Sequence, residues 1–442
     1  MSSEAVNESQ RSLPREWMRF VPAAMMASSR CAAVAIQFLC QLIIANLAGA
    51  AGLGLFQLFS SWTCILGEIL AQGLPARMMR VISVGFDRGD YSYCREQMRV
   101  ASKRIRYPAL WILAISILAM MLLQATDWST SELPLAWLIF AVVVSASLFA
   151  LLRIYVEALK GTDAPLAAIS IESLGPPILV LMVCLACLSA GITLSSWLLL
   201  IAGTTGFGLS LAVTGALLRK RLSITRAGNS HKTQVDEDQR EQRALWANSV
   251  LAIVFVQLPF ILLPWFADVA QIGVFSVAHK LVNLVTLLLI LMAAVFGPAF
   301  ARAGEQRNVS ALRELLRRTQ YLSMGIFLPL AAMLVVLQGP LTTMFNFPPE
   351  ALQPFLYALL LGQLVNAATG LPGLLMNMTG AAQLELKVLL MSLAFAALLG
   401  GPVGYLYGAV GIAWLVSATL ALKNFASLYF ARCHLVQLGE IQ

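Results

Sequence analysis

The chain has 442 residues, 59% of them hydrophobic and only 12% charged, with a formal net charge of +8 and a mean hydropathy of +0.79. That balance excludes an ordinary soluble domain and points to an integral membrane protein. The surplus Lys and Arg cluster in particular turns. They are therefore read as a topological bias with some attraction to anionic lipid, not as a nucleic-acid surface.

In chain order, the polar stretch from Met1 to Arg19 lacks the apolar core and cleavage site of a signal peptide, so the first apolar segment is expected to stay. Stretches long enough to cross ~30 Å of hydrocarbon predict helices at about 22–46, 54–76, 107–125, 134–153, 164–188, 196–218, 245–266, 272–300, 321–338, 354–376, 387–406 and 408–430. The expected fold is thus all-α, with twelve spans. Cations are absent from 49–54, 124–134, 188–196, 264–273, 338–354 and 405–408. They crowd into 77–106, 153–160, 219–243 and 302–318. Basic loops stay in the cytoplasm, so the second set and both termini are placed inside. The outer loops are short and offer no catalytic domain, which argues against an enzyme. The seven cysteines suggest no disulfide framework, and Cys184 and Cys187 read as packing within an apolar helix.

The hydrophilic stretch 219–244 divides the spans into an N-lobe, 1–218, and a C-lobe, 245–442. The halves repeat each other. Ala51-Gly-Leu-Gly-Leu-Phe56 returns as Ala270-Gln-Ile-Gly-Val-Phe275. Gly73-Leu-Pro75 is matched by Gly297-Pro298, and Gly161-Thr162 by Thr379-Gly380. Six spans per repeat is even, so the lobes are expected to be related by an axis along the membrane normal, with a central crevice exposed alternately to each side. The basic amphipathic stretches 94–106 and 309–320 are expected on the inner leaflet, with Leu312, Leu315 and Leu316 toward lipid.

Polar residues inside the spans are costly and therefore informative. Arg30 lies about 16 Å along a helix from Arg19, and Gln37 and Gln41 return to its face. Gln57, Ser61, Glu68 and Gln72 form a stripe on span 2. Ser276, Lys280 and Asn283 form one on span 8 with His279 beside them, and Gln363, Asn366, Gly370 and Asn377 a weaker one on span 10. Two readings stand for Arg30: a packing pair with Glu68, or a cationic cavity with Lys280, one cation per lobe. The second suits a phosphate or pyrophosphate headgroup, with Gln37, Gln41, His279 and Asn283 as polar lining. Arg153, Glu157 and Lys160 read as an inner gate or a self-paired helix end, and Glu68 and Glu172 as ion-coupling or hydrogen-bonding carboxylates. Lys423 is expected to snorkel to the inner surface. No phosphate-binding GxxxxGK[ST] loop occurs, and His231, His279 and His434 are scattered, so neither metal nor cofactor is expected.

The Arg30-bearing first span, the Ala51-Gly-Leu-Gly-Leu-Phe56 turn, Gly73-Leu-Pro-Ala-Arg77 before a basic loop, and Lys160-Gly-Thr162 together resemble one family. It is the polysaccharide-exporter branch, of the Wzx O-antigen flippase type, within the multidrug/oligosaccharidyl-lipid/polysaccharide (MOP) flippase superfamily. The resemblance runs from about Trp17 to Arg432. It implies a bacterial inner-membrane protein that moves undecaprenyl-pyrophosphate-linked glycans outward through a cavity lined by spans 1, 2, 7 and 8. It also implies membrane lipids and a polysaccharide polymerase or export machinery as partners, with no cofactor and no nucleic acid. The stripes on spans 1, 2 and 8 agree with this, whereas Asn248 and Gln257 of span 7 point to opposite faces and Pro259 and Pro264 offer a bend. A cation-coupled drug antiporter of the same superfamily is the alternative, and a polysaccharide polymerase or ligase is the enzymatic one.

Overall fold

The computed structural model describes residues 4–125, 135–223 and 239–440. Outside them lie the turn 126–134, most of the expected linker (224–238, with His231) and the terminal residues. The fold is all-helical, with no strand among the described residues. It runs α1 Glu4–Ala71, α2 Leu74–Asp87, α3 Tyr91–Ala125, α4 Leu135–Lys160, α5 Pro165–Ala190, α6 Ser196–Leu222 and α7 Gln239–Val256. Then come α8 Leu258–Leu262 with a 3-10 turn, α9 Val269–Glu305, α10 Val309–Met344, α11 Gln353–Thr369, α12 Pro372–Met378 and α13 Ala382–Glu440.

Two helices are far longer than a bilayer requires. A straight α1 of 68 residues would run about 100 Å, some three times the hydrocarbon thickness. It is broken at Gly49 (φ 70°, ψ −178°), a backbone conformation reserved in practice to glycine. The 59-residue α13 is broken in the same way at Gly408 (φ 59°, ψ −146°). Both breaks fall in turns without cations. Counted by length and composition alone, six described helices are able to cross a membrane, or eight if each bent pair is one span. One pair bends by 74° between Val256 and Leu258 and the other by 44° between Thr369 and Pro372. The first bend sits at Gln257-Leu258-Pro259, where the ring cannot donate a helical hydrogen bond. The second sits at Gly370, φ 72°.

The contacts divide the chain into two units: Met1–Ile43 with Trp62–Ser249, and Ile44–Ser61 with Val250–Gln442. The stretch 44–61 around the Gly49 break thus belongs with the second half of the chain. The start of α7 belongs with the first half, and the reason is visible in unit 1. Gln242 Nε2 donates to the Gln72 carbonyl at 2.9 Å and Trp246 Nε1 to the Ile69 carbonyl at 3.2 Å. These two donors bond carbonyls at the C-terminal end of α1, of which that of Ile69 also accepts from the Gln72 backbone N–H at 3.4 Å.

The amphipathic stretches correct an expectation. In unit 1, Cys94, Met98, Ala101 and Ile105 recur at helical spacing and are all buried in one apolar cluster with α2, α4 and α6. In unit 2, Leu312 and Leu316 are buried with Phe300, Leu375 and Leu435, and Leu315 packs beside them. The apolar faces therefore cover protein and not lipid. The helices on which they lie run unbroken into apolar segments, so their orientation is fixed by the bundle.

The repeated Gly/Pro break also differs between its copies. Gly73 takes φ 71° and separates α1 from α2, whereas Gly297-Pro298 lies within the continuous α9. The other repeated motif acquires a role. In unit 2 the two copies cross each other: a Cβ on Gly54 would fall on the Val269 carbonyl oxygen, and one on Gly273 on that of Ala50. Only glycine permits this approach.

Candidate functional site

The densest polar site lies in unit 1, where three helices bring five charges together. Arg153, Glu157 and Lys160 share a face of α4 by their i, i+4, i+7 spacing. Arg153 Nη1 donates to Glu172 Oε1 of α5 at 2.6 Å, and Lys160 Nζ donates to Glu157 Oε1 at 2.7 Å and to Glu172 Oε2 at 3.4 Å. Arg153 also lies 3.6 Å from Glu157 and, through Nε, 3.7 Å from Glu68 at the end of α1. The inner-gate trio and the two ion-coupling candidates are thus one network, formally with one carboxylate more than cations. Glu68 is only 7% exposed. A cavity of about 540 Å³ opens beside it, lined by Glu68, Arg80, Ser83, Arg153, Glu157 and Ser249.

This geometry replaces the expected Arg30–Glu68 pair: among the described residues Glu68 pairs with Arg153. Arg153 satisfies three carboxylates from three helices, and so it takes the place that helical depth alone assigned to Arg30. Arg30 is exposed and Gln37 half-buried on α1. Gln41 is buried, with its Oε1 lacking a hydrogen-bond partner among the described residues. Such a group costs about 1–3 kcal/mol when left dry. The stretch that carries these residues is held to α5 by Ser29–Ser170 at 3.0 Å and by Cys40 to the Pro177 carbonyl at 3.4 Å.

In unit 2, Lys280 is half-buried on α9. His279 stacks on Phe275 with centroids 5.7 Å apart, meets Phe260 edge-on at 5.4 Å, and lies 3.3 Å from the Asn283 amide nitrogen. The same unit takes the outer part of the span 2 stripe: Gln57 Nε2 donates to Ser61 Oγ at 3.1 Å, which donates to Gln257 Oε1 at 3.3 Å. Gln257 stands at the bend after α7. In the span 10 stripe Asn366 donates to Gln363 at 2.8 Å, and Gln363 donates to Thr286 of α9 at 3.0 Å.

Two groups escaped the sequence. Glu385 lies 2.6 Å from Lys423 Nζ and accepts from Ser427 Oγ at 2.7 Å. Lys423 is therefore paired. Its partner lies 38 positions earlier on the same broken helix, beyond the reach of local spacing. Cys94 sits in the apolar cluster, and burial pushes its thiol up to about 11, so it is a packing residue and not a nucleophile. Among the described residues no cluster of His, Cys, Asp or Glu suits a metal.

With the geometry in place, comparison with known proteins adds a partial family match and a fold. The model of a family described as "Polysaccharide biosynthesis protein" matches residues 169–346. The match takes in less than half of the chain, and beside it stands a fold shared with MATE transporters. That fold is carried by solved structures. An inward-facing multidrug resistance MATE transporter of the MOP superfamily matches with TM-score 0.70 and 15% identity, over 94% of this chain and 99% of that one. A MOP transporter from Pyrococcus furiosus, whose binding pocket is described as having reversed polarity, matches with TM-score 0.59 and 16% identity, over 94% of both chains. An outward-facing MATE transporter gives 0.57 and 13%, over 94% and 96%. At these identities the likeness establishes the all-helical fold. No curated protein matches by sequence. The resemblance read from the motifs holds at this level. The family match takes in Glu172, His279, Lys280 and Asn283 but neither Arg30 nor Glu68.

Proposed function

We propose that this chain is a flippase of the bacterial inner membrane. It moves polyprenyl-pyrophosphate-linked oligosaccharide, such as an undecaprenyl-linked O-antigen or exopolysaccharide unit, from the inner to the outer leaflet. The observation that carries this reading is the polysaccharide biosynthesis match on the MOP transporter fold. If the glycine breaks at Gly49 and Gly408 are outer turns and each bent pair is one span, α1 to α13 amount to twelve spans. Both termini are then cytoplasmic, in keeping with the basic turns.

Sugar and pyrophosphate do not cross hydrocarbon unaided, whereas a polyprenyl tail stays in lipid. Arg30 of unit 1 and Lys280 of unit 2 are the cations assigned to the headgroup: a planar guanidinium fork and a point charge for phosphate oxygens. Gln37, Gln41, Asn283 and His279 complete the polar lining. Glu68, Arg153, Glu157, Lys160 and Glu172 form the inner gate. An inside-negative potential favours outward movement of an anion by ~2.3 kcal/mol per charge per 100 mV, so no covalent chemistry is required, and a glycan polymerase or export complex would take the product. The test is charge reversal: Arg30→Glu and Lys280→Glu, inserted at wild-type levels, are expected to abolish surface polysaccharide and accumulate the lipid-linked unit inside. Export at wild-type levels by both variants would refute the assignment.

A cation-coupled drug antiporter is the second reading, supported by the MATE-like fold and the surplus carboxylate of the network. It predicts drug efflux that depends on Glu68 or Glu172, without a glycan defect in a deletion strain.

A further inference from the structure

One basic feature of unit 1 has no part in the transport assignment. Arg95, Arg99, Lys103 and Arg106 repeat along one face of α3, opposite the face buried by Cys94, Met98, Ala101 and Ile105. They line a cavity of about 660 Å³ together with Arg219 of α6. A second cavity of about 320 Å³ shares Ser102, Arg106, Tyr155, Gly215 and Arg219 with the first. It continues over Leu151, Leu211, Ala212 and Ala216. Together they make one groove between α3, α4 and α6, with five cations at its mouth and an apolar floor. No carboxylate lines either part. Glu96 lies 3.5 Å from Arg99, and both of those side chains are largely exposed.

Polarity grades along the groove. Ser102 Oγ donates to the Met98 carbonyl at 2.7 Å and lies 3.4 Å from Tyr155 Oη, so the two hydroxyls are the polar atoms of this wall. Gly215 lies against Tyr155: a Cβ there would be in ordinary contact with the ring at 3.6 Å, so only a longer side chain would fill the floor. Beyond the cations, Tyr107 and Trp111 of α3 are 67% and 71% exposed. Aromatic residues so placed mark the membrane–water interface, which sets the mouth of the groove at headgroup level.

We propose that this groove is a binding site for an anionic phospholipid of the cytoplasmic leaflet. Its phosphate would lie among Arg106, Arg219 and Lys103, and the start of an acyl chain over Gly215 and Leu211. Charge complementarity selects the phosphate, and the continuous apolar floor selects an amphiphile over a free anion. The groove shares no lining residue with the cavity beside the Arg153 network of the same unit, and the inference stands whether or not the chain flips glycolipids.

The test uses the purified full-length protein in a neutral detergent. Phosphatidylglycerol, phosphatidylcholine, polyprenyl pyrophosphate and inorganic pyrophosphate are titrated separately, and bound lipid is counted by native mass spectrometry. Phosphatidylglycerol is expected to bind on the order of tenfold tighter than phosphatidylcholine. Arg106→Gln/Arg219→Gln should abolish that preference. Gly215→Leu should weaken phosphatidylglycerol while leaving inorganic pyrophosphate unchanged. Arg313→Gln/Arg317→Gln, which removes the same charge from exposed positions of unit 2, should leave the preference intact. Equal loss in both double variants would reduce the effect to net charge and overturn the proposal. So would a preference for polyprenyl pyrophosphate without one for phosphatidylglycerol, or inorganic pyrophosphate binding as tightly as lipid. If the groove double variant does not stay monodisperse, Arg106→Gln alone and Gly215→Leu decide by the same comparison.

Discussion

Unit 1 and unit 2 join their helices by opposite means. In unit 1, α1, α4 and α5 meet through five charged side chains, with Arg153 within 4 Å of three carboxylates. In unit 2 the two copies of the repeated motif cross where neither has a side chain, glycine against backbone. Among the described residues of unit 2, Lys423 pairs with Glu385 on one broken helix, and Glu314 pairs with Arg317 and Arg318 within α10. A charged junction tolerates rearrangement, because long side chains can find new partners. A glycine crossing does not, because the conflict is with backbone. The contrast makes the charged junction the natural seat of a moving part and the glycine crossing a fixed one.

The largest effect is therefore expected at the crossing. Gly273→Leu places a branched side chain where even a Cβ meets the Ala50 carbonyl, and the helices must separate along their contact. We expect loss of monodisperse protein on size-exclusion chromatography, and the same for Gly54→Leu. Wild-type yield and thermal unfolding in either variant would mean that the two helices do not meet there, and the contrast would fall.

The charged junction is expected to respond less, and in a graded way. Arg153→Met leaves three carboxylates facing Lys160 alone. Removing one partner of a buried ion pair costs 3–5 kcal/mol, and with the Arg153 side chain 27% exposed the lower end, about 3 kcal/mol, applies. Lys423→Met leaves Glu385 with the Ser427 hydroxyl as donor, and about 1–2 kcal/mol is expected. Thermal unfolding of both variants in one detergent checks the order. A larger loss for Lys423→Met would show that the number of partners does not set the cost.

Much of this was legible in the residues, and the limits have physical reasons. The cation-free turns at 49–54 and 405–408 coincide with the glycine breaks, because both mark where the chain reverses with nothing to hold it on the basic side. The face shared by Arg153, Glu157 and Lys160 follows from helical spacing alone. Their union with Glu68 and Glu172 does not, since those arrive on other helices. The repeated Ala-x-x-Gly-x-Phe motif was readable as duplication but not as a contact, because a sequence shows that two segments are alike and not that they touch. Arg30 stood out by its depth in a span, yet depth says nothing of its neighbours, and the partner of Glu68 proved to be Arg153.

The smallest effect concerns the amphipathic stretches, whose period announces an apolar face but not what covers it. Unit 1 covers its face with protein, and Cys94 reports on this directly because it sits in the middle of that face. Burial raises its thiol to about 11, above the usual range, so the thiolate is scarce at neutral pH and grows tenfold with each pH unit toward that value. At pH 8 about one thiol in a thousand is ionised, and the surrounding side chains exclude reagent besides. Cys433 on α13 is exposed. Timed maleimide labelling at pH 8 followed by peptide mapping should modify Cys433 within minutes and leave Cys94 untouched until the protein is unfolded. Raising the pH to 9 should not bring Cys94 level with Cys433, because exclusion remains when ionisation improves. If Cys94 labels at the same rate as Cys433 in the folded protein, its face is open to solvent, and the stretch is a surface element in unit 1 after all.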